Sequence, residues 1–272
     1  MSAWLFVPGN DRRKLQKALG SRADVVVVDW EDGVPDEERA TAREVSAHLL
    51  RSGSSCRAII RINAAGGSER EADLAAVRAI IEGGVPVDGL MLPKVDAEEH
   101  LAAPGALGLP LVATIESAAG LERLSSLARS HPALERFALG SLDLLAEFGL
   151  RWRADQPLLE QARARLAIAS LAAGLQPPLD GIFPPIDDLE GLAKDSAHAR
   201  ELGFTGKLVI HPGQVPLVQN AFAPNEEEME LARRTLEAHR KALDSGSGVA
   251  NLDGEMIDAP SVAWAKRTLG LD

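Results

Sequence analysis

The chain has 272 residues, 46% of them hydrophobic and 25% charged, which describes a globular protein able to bury a large core and excludes a disordered one. With 40 acidic against 29 basic residues the net charge is −11, so nucleic acid or an anionic membrane is excluded as the main partner, and an anionic small substrate needs a local basic or metal site. A single cysteine, Cys56, rules out an intrachain disulfide. No leader or membrane-length apolar run is read in it, and the expected location is the cytoplasm.

Short apolar runs alternate with longer helical segments. The runs at residues 4–7, 25–28, 58–62, 89–92, 111–115, 137–139, 181–183 and 208–210 read as strands. They are rich in Val, Ile and Leu and mostly do not alternate with polar residues, as expected of parallel strands covered on both faces. Between them, Asp36 is expected to cap a helix ending before Gly53, Ser68-Glu69-Arg70-Glu71 to form a capping box, and Asp96 to cap the helix containing Glu98 and Glu99. A long helix is expected from Pro157 to Gly174, and Asn225 opens another with three glutamates in its first turn. Eight strands alternating with helices, with no Gly-x-Gly-x-x-Gly after any of them, favour a (β/α)8 TIM barrel over a dinucleotide-binding sheet. The expected organisation is a barrel over residues 1–244. A linker at Ser245-Gly246-Ser247-Gly248 and a C-terminal helical extension fill 245–272, as a lid, an arm to a neighbouring subunit or a plain closing helix.

Barrel chemistry sits at the C-terminal ends of the strands. That rim receives Arg12 and Lys14 from the first strand, Asp29, Glu31 and Asp32 from the second, Arg61 and Asn63 from the third and Lys94 from the fourth. Glu116 follows the fifth strand, Ser141 and Asp143 the sixth, and His211 the eighth. Glu116 and Asp143 come from adjacent strands and can share one Mg2+, or Glu116 can open a helix and Asp143 cap the next. Arg61 needs an anion, either a substrate carboxylate or a structural partner in Asp29 or Glu31. In Asp29-Trp30-Glu31-Asp32 one acid pairs with Arg61 or Lys94, another can hold metal waters, and Asp32 can serve the turn before Pro35. The basic stretch from Arg12 to Lys17 can receive carrier phosphates or be a solvated helix face. His211 can act as acid or base or brace the loop before Pro212. Asp258 sits where a helix N-cap belongs.

These residues resemble a known family. Asp29-Trp30-Glu31-Asp32-Gly33-Val34, Arg61-Ile62-Asn63, Leu92-Pro93-Lys94, Ile115-Glu116-Ser117-Ala118-Ala119-Gly120, Gly140-Ser141-Leu142-Asp143-Leu144 and the stretch from Gly203 to Pro212 are similar, in order, to the citrate lyase beta subunit family. It is part of the aldolase/citrate lyase group with malyl-CoA and citramalyl-CoA lyases. The resemblance implies a barrel, commonly a homotrimer, with Mg2+ held by Glu116 and Asp143 and a carboxylate bound by Arg61. It implies that Asp258 is delivered by a neighbouring subunit. Arg61, Glu31 and Asp258 are then the catalytic candidates, Arg61, Glu116, Asp29 and Lys94 the substrate-binding ones, and Arg12 and Lys14 the coenzyme A contacts. The expected partners are a 2-oxo acid and an acyl-CoA. The expected reaction is cleavage of a citryl-, citramalyl- or malyl-CoA-like 3-hydroxyacyl thioester, with a free hydroxy-oxo acid aldolase or an acyl-CoA thioesterase or synthase as the alternatives. Trp30, Ser117 and Leu142 depart from the family's usual residues and bear on which acyl substrate fits.

Overall fold

The computed structural model describes residues 2–271. Eight parallel strands close into a barrel in chain order: β1 (Ala3–Pro8), β2 (Val25–Asp29), β3 (Arg57–Arg61), β4 (Leu90–Leu92), β5 (Leu111–Ile115), β6 (Leu134–Leu139), β7 (Leu179–Asp180) and β8 (Gly206–Val209). The ring shuts where β1 pairs with β8, Ala3 beside Lys207 and Leu5 beside Val209. The TIM barrel expected from the alternation of apolar runs and helices is thus the observed fold.

The valine run of β2 shows why the strands lack alternation. Val25 and Val27 pack inside the barrel with Trp4, Ile59, Met91, Val112, Ala138, Leu179 and Leu208, while Val26 and Val28 join the outer core beneath the helices. Both faces are dry, so both must be apolar. Burying such a side chain contributes about 1.5–3 kcal/mol over leaving it exposed.

The expected strand at 181–183 forms two residues earlier, at Leu179–Asp180. A charged residue hides this strand from a reading based on apolar runs. Asp180 is tolerated there because Arg163 (2.8 and 2.9 Å) and Lys207 bind both its oxygens.

Three expected helix caps are replaced. Glu69, in the position before Arg70–Glu82, makes no capping bond and instead binds Arg43 at 2.8 Å. Asp36 begins a short 3-10 turn and pairs with Arg39 at 2.8 Å, and the α-helix runs over Arg39–Arg51. Asp96 faces His100 at 3.5 Å, ahead of the helix Glu99–Gly105. For Glu69 and Asp36 an arginine within reach outcompetes the backbone amides. The helix Pro157–Ala173 ends as expected at Gly174.

The chain divides into two compact units, 1–222 and 223–272, and the helix Glu226–Asp244 groups with the second of them. The reason is that the helix Glu226–Asp244 packs on the terminal helix Ala259–Leu269. Asn225 and Glu228 form a reciprocal capping box at the start of the first of these helices. The expected flexible linker is followed by a hairpin, β9 (Ala250–Leu252) and β10 (Glu255–Ile257), turned by Asp253 (φ 55°) and Gly254 (φ 93°). Two consecutive positive φ values are what a tight hairpin turn needs. Among the described residues, no helix is long and apolar enough to cross a membrane.

Candidate active site

A cavity of about 370 Å3 opens at the C-terminal ends of the strands. Its charged wall carries Asp29 and Asp32 from the end of β2, Arg61 from β3, Glu116 after β5 and Asp143 after β6. Glu116 and Asp143, 27 positions apart in the chain, thus line the same space.

Asp29 ends β2 and is buried. Its Oδ1 accepts from the backbone amide of Glu31 (2.9 Å) and from Arg61 Nε (2.7 Å). Its Oδ2 accepts from the Gly33 amide (2.8 Å) and from Arg61 Nη2 (2.6 Å). One carboxylate therefore both closes the turn after β2 and grips the arginine with two parallel bonds. Arg61 Nη1 also lies 3.1 Å from Glu31 Oε2, and the guanidinium rests 4.7 Å above the Phe6 ring. Burial works against its charge, but the bonds to Asp29 outweigh that and hold its pKa above the ordinary value. Both alternatives for Arg61 therefore coexist: it has structural partners and it faces the cavity.

Lys94 adopts the left-handed conformation (φ 52°), uncommon for a residue with a side chain. That turn aims its backbone amide at Glu116 Oε1, 2.6 Å away. Its ammonium group reaches Glu31 Oε1 at 2.7 Å and Asp32 Oδ1 at 3.6 Å. Burial raises the pKa of Glu31, and Arg61 and Lys94 pull against that rise.

Glu116 is 5% exposed and sits against Gly140, where a Cβ would collide with the Glu116 side chain. Burial first, and then the neighbouring charge of Asp143, push its carboxyl up to about 8. Near neutrality such a group resists ionising unless a cation joins it. The hydroxyls of Thr114 and Ser141, on residues lining the same cavity, have no hydrogen-bond partner among the described residues. All of these donors are oxygen, which suits a hard divalent cation such as magnesium. Among the described residues no three His, Cys, Asp or Glu side chains are grouped to hold a metal unaided. Two carboxylates fit magnesium, which keeps several waters.

The other sequence candidates lie elsewhere. Asn63 is buried and binds the Trp30 carbonyl (2.9 Å) and Asp73 (2.7 Å), bracing the loop. His211 accepts from the Gly213 amide at 3.1 Å and caps the turn Pro212–Gln214. Arg12 and Lys14 are exposed on the helix Arg12–Leu19, with Lys14 3.2 Å from Asp11. Asp258 belongs to the second unit and caps its last helix, accepting from the Ser261 amide at 3.2 Å. Of the three departures, Trp30 points away from the cavity into the outer core, donating to Ser46 at 3.0 Å, and Ser117 caps a short helix. Leu142 alone lines the cavity. Sequence reasoning missed Phe6, Thr114 and Gly140. The Gly140-Ser141 step just before Asp143 was the one available signal, since glycine often marks close backbone approach.

Residues 2–212 match the model of the HpcH/HpaI aldolase/citrate lyase family. The chain is 34% identical over 270 residues to a (3S)-malyl-CoA thioesterase of Cereibacter sphaeroides, covering 97% of this chain and 92% of the relative. It is 31% identical over 282 residues to the citrate lyase subunit beta of Escherichia coli, covering 97% and 91%. The solved structure of protein CitE from Mycobacterium tuberculosis in complex with magnesium, acetoacetate and coenzyme A is similar at a TM-score of 0.83 and 30% identity, covering 99% of this chain and 97% of that one. On these grounds the chain belongs to the HpcH/HpaI aldolase/citrate lyase family.

Proposed function

We propose that this chain is a magnesium-dependent carbon–carbon lyase that splits a 3-hydroxyacyl thioester into a 2-oxo acid and an acyl thioester. The observation that carries the reading is that buried Glu116 and half-buried Asp143 line one cavity, with excess negative charge beside Arg61. Likeness to a structure holding magnesium, acetoacetate and coenzyme A supports it.

Glu116 and Asp143 would hold the cation, with Lys94's amide fixing one oxygen of Glu116. Bound magnesium supplies Lewis acidity and a template for substrate oxygens. Arg61, locked in place by Asp29, offers its guanidinium to charge that develops as the bond breaks. The hydroxyl would give its proton to solvent, from which Asp258 takes one up, the carbon–carbon bond opens, and the electron pair passes onto the thioester as an enolate. Asp258 returns a proton to that carbon, which in this reading requires a neighbouring subunit of a homotrimer to bring it in. Arg12 and Lys14 would receive the phosphates of coenzyme A. Hydrolysis of the thioester is the second reading, favoured by the likeness to a malyl-CoA thioesterase.

Incubation with malyl-CoA and citramalyl-CoA, following 2-oxo acid and free thiol separately, distinguishes the two. A lyase releases 2-oxo acid and no thiol, and a thioesterase releases thiol. Glu116→Ala should cut kcat/KM by about 10^3-fold or more while the barrel stays folded, the loss of some 4 kcal/mol of transition-state stabilisation. Full activity in that variant contradicts the metal assignment. Cleavage of a free hydroxy-oxo acid in place of either thioester contradicts the thioester reading.

A further inference from the structure

We infer that the cavity selects a 2-oxo acid carrying a short alkyl group over one carrying a second carboxylate, and that Leu142 is the residue that sets this preference. The inference rests on the magnesium-dependent reading of this cavity and names the substrate class within it.

The closed ring divides the cavity wall into two arcs. From β2 round to Asp143 the wall holds all of its charged residues, with Thr114, Leu139 and Ser141 interspersed. From Leu142 it continues through Ile182 after β7, Leu208 and Ile210 of the β8 segment, and Phe6 of β1, and this arc is apolar. A substrate whose oxygens face the ionic arc must turn its remaining substituent toward the apolar one.

Charge in the ionic arc excludes a second carboxylate. Four acids line the cavity, Asp29, Asp32, Glu116 and Asp143, and Arg61 is the sole lysine or arginine among the lining residues. Its guanidinium is already engaged by Asp29 and Glu31. A substrate with one carboxylate has Arg61 and a bound cation to meet it. A further carboxylate would meet leucine and isoleucine, and an ion desolvated without a partner is strongly disfavoured. A methyl or ethyl group at the same place instead leaves water for an apolar surface.

Leu142 decides the matter because of its position. It precedes Asp143, so it stands where the two arcs join, and it is 40% exposed. A side chain so placed can be changed without opening the core.

The test is calorimetric titration of pyruvate, 2-oxobutyrate and freshly dissolved oxaloacetate into the magnesium-loaded full-length protein. Wild type should bind 2-oxobutyrate about fourfold more tightly than pyruvate, the value of one buried methylene, and oxaloacetate at least about tenfold more weakly than 2-oxobutyrate. Leu142→Arg should reverse the order of oxaloacetate and 2-oxobutyrate. Leu142→Ala should weaken 2-oxobutyrate while leaving magnesium affinity unchanged. Oxaloacetate binding as tightly as pyruvate to wild type, or an order untouched by both substitutions, overturns the alkyl preference alone. Heat from none of the three acids overturns it together with the lyase reading.

Discussion

Two ionic clusters lie in the same barrel, one buried and one open at the rim, and they are built to opposite ends. Behind β7 and β8, Arg163, Asp180, Asp195 and Lys207 form a quartet of two cations and two anions, all at most 6% exposed. Arg163 bridges both aspartates at 2.8 Å, and Lys207 binds both from the other side, at 2.5 Å to Asp195. Burial would raise Asp180, yet Lys207 and Arg163 hold it below the ordinary carboxylate range. At the rim, five carboxylates, Asp29, Glu31, Asp32, Glu116 and Asp143, gather round two cations, Arg61 and Lys94. There burial and a like charge drive Glu116 up to about 8. The quartet is closed and balanced, as a structural network should be. The rim holds five carboxylates against two cations, an excess of negative charge that suits the divalent cation proposed for it.

Deleting a charge should therefore do opposite things in the two places. Lys207→Met leaves two aspartates sharing one arginine in a sealed space, and should lower unfolding free energy by about 3–5 kcal/mol in urea titration. A neutral result would mean that the quartet is not the sealed network described.

Glu116→Gln should instead stabilise the metal-free protein. A carboxyl with a raised folded pKa holds its proton more tightly in the folded than in the unfolded chain. Metal-free stability therefore falls as pH rises from near 4.5, through neutrality, to about 8, and levels off beyond. The fall should be on the order of 4 kcal/mol, and urea titrations from pH 5 to 9 should show it in wild type and lose it in Glu116→Gln. Saturating magnesium should flatten the wild-type curve as well.

Asp258 sharpens the contrast, since it belongs to neither cluster and within its own unit caps a helix. Asp258→Ala should cost about 1 kcal/mol, visible as a small shift in thermal unfolding. A loss of kcat far beyond that small cost would assign Asp258 to chemistry. Unchanged kcat would leave it a cap.

The contrast also explains what could be read in the chain beforehand. Strands such as Val25–Asp29 and Leu111–Ile115 declare themselves because both their faces are apolar. β7 does not, because Asp180 depends on Arg163 and Lys207, partners 17 and 27 positions away. The hairpin at Asp253-Gly254 had a turn signal, but its strands are only three residues long and half their residues are exposed, too short for a pattern to show. At the rim, Glu116 and Asp143 were legible from strand ends alone, since topology dictates where those ends meet. What topology does not dictate is how charges distribute once there. The pairing of Arg61 with Asp29 was among the expected alternatives, but its grip through both carboxylate oxygens, and Lys94 acting through its backbone amide, depend on φ values and rotamers that carry no sequence mark.

The most direct test of the shared cation is anomalous diffraction from crystals grown with Mn2+ in place of Mg2+. The account predicts one strong peak between the Glu116 and Asp143 carboxylates, absent in Glu116→Gln. A map with no peak there, or with the ion bound by other side chains, would contradict it.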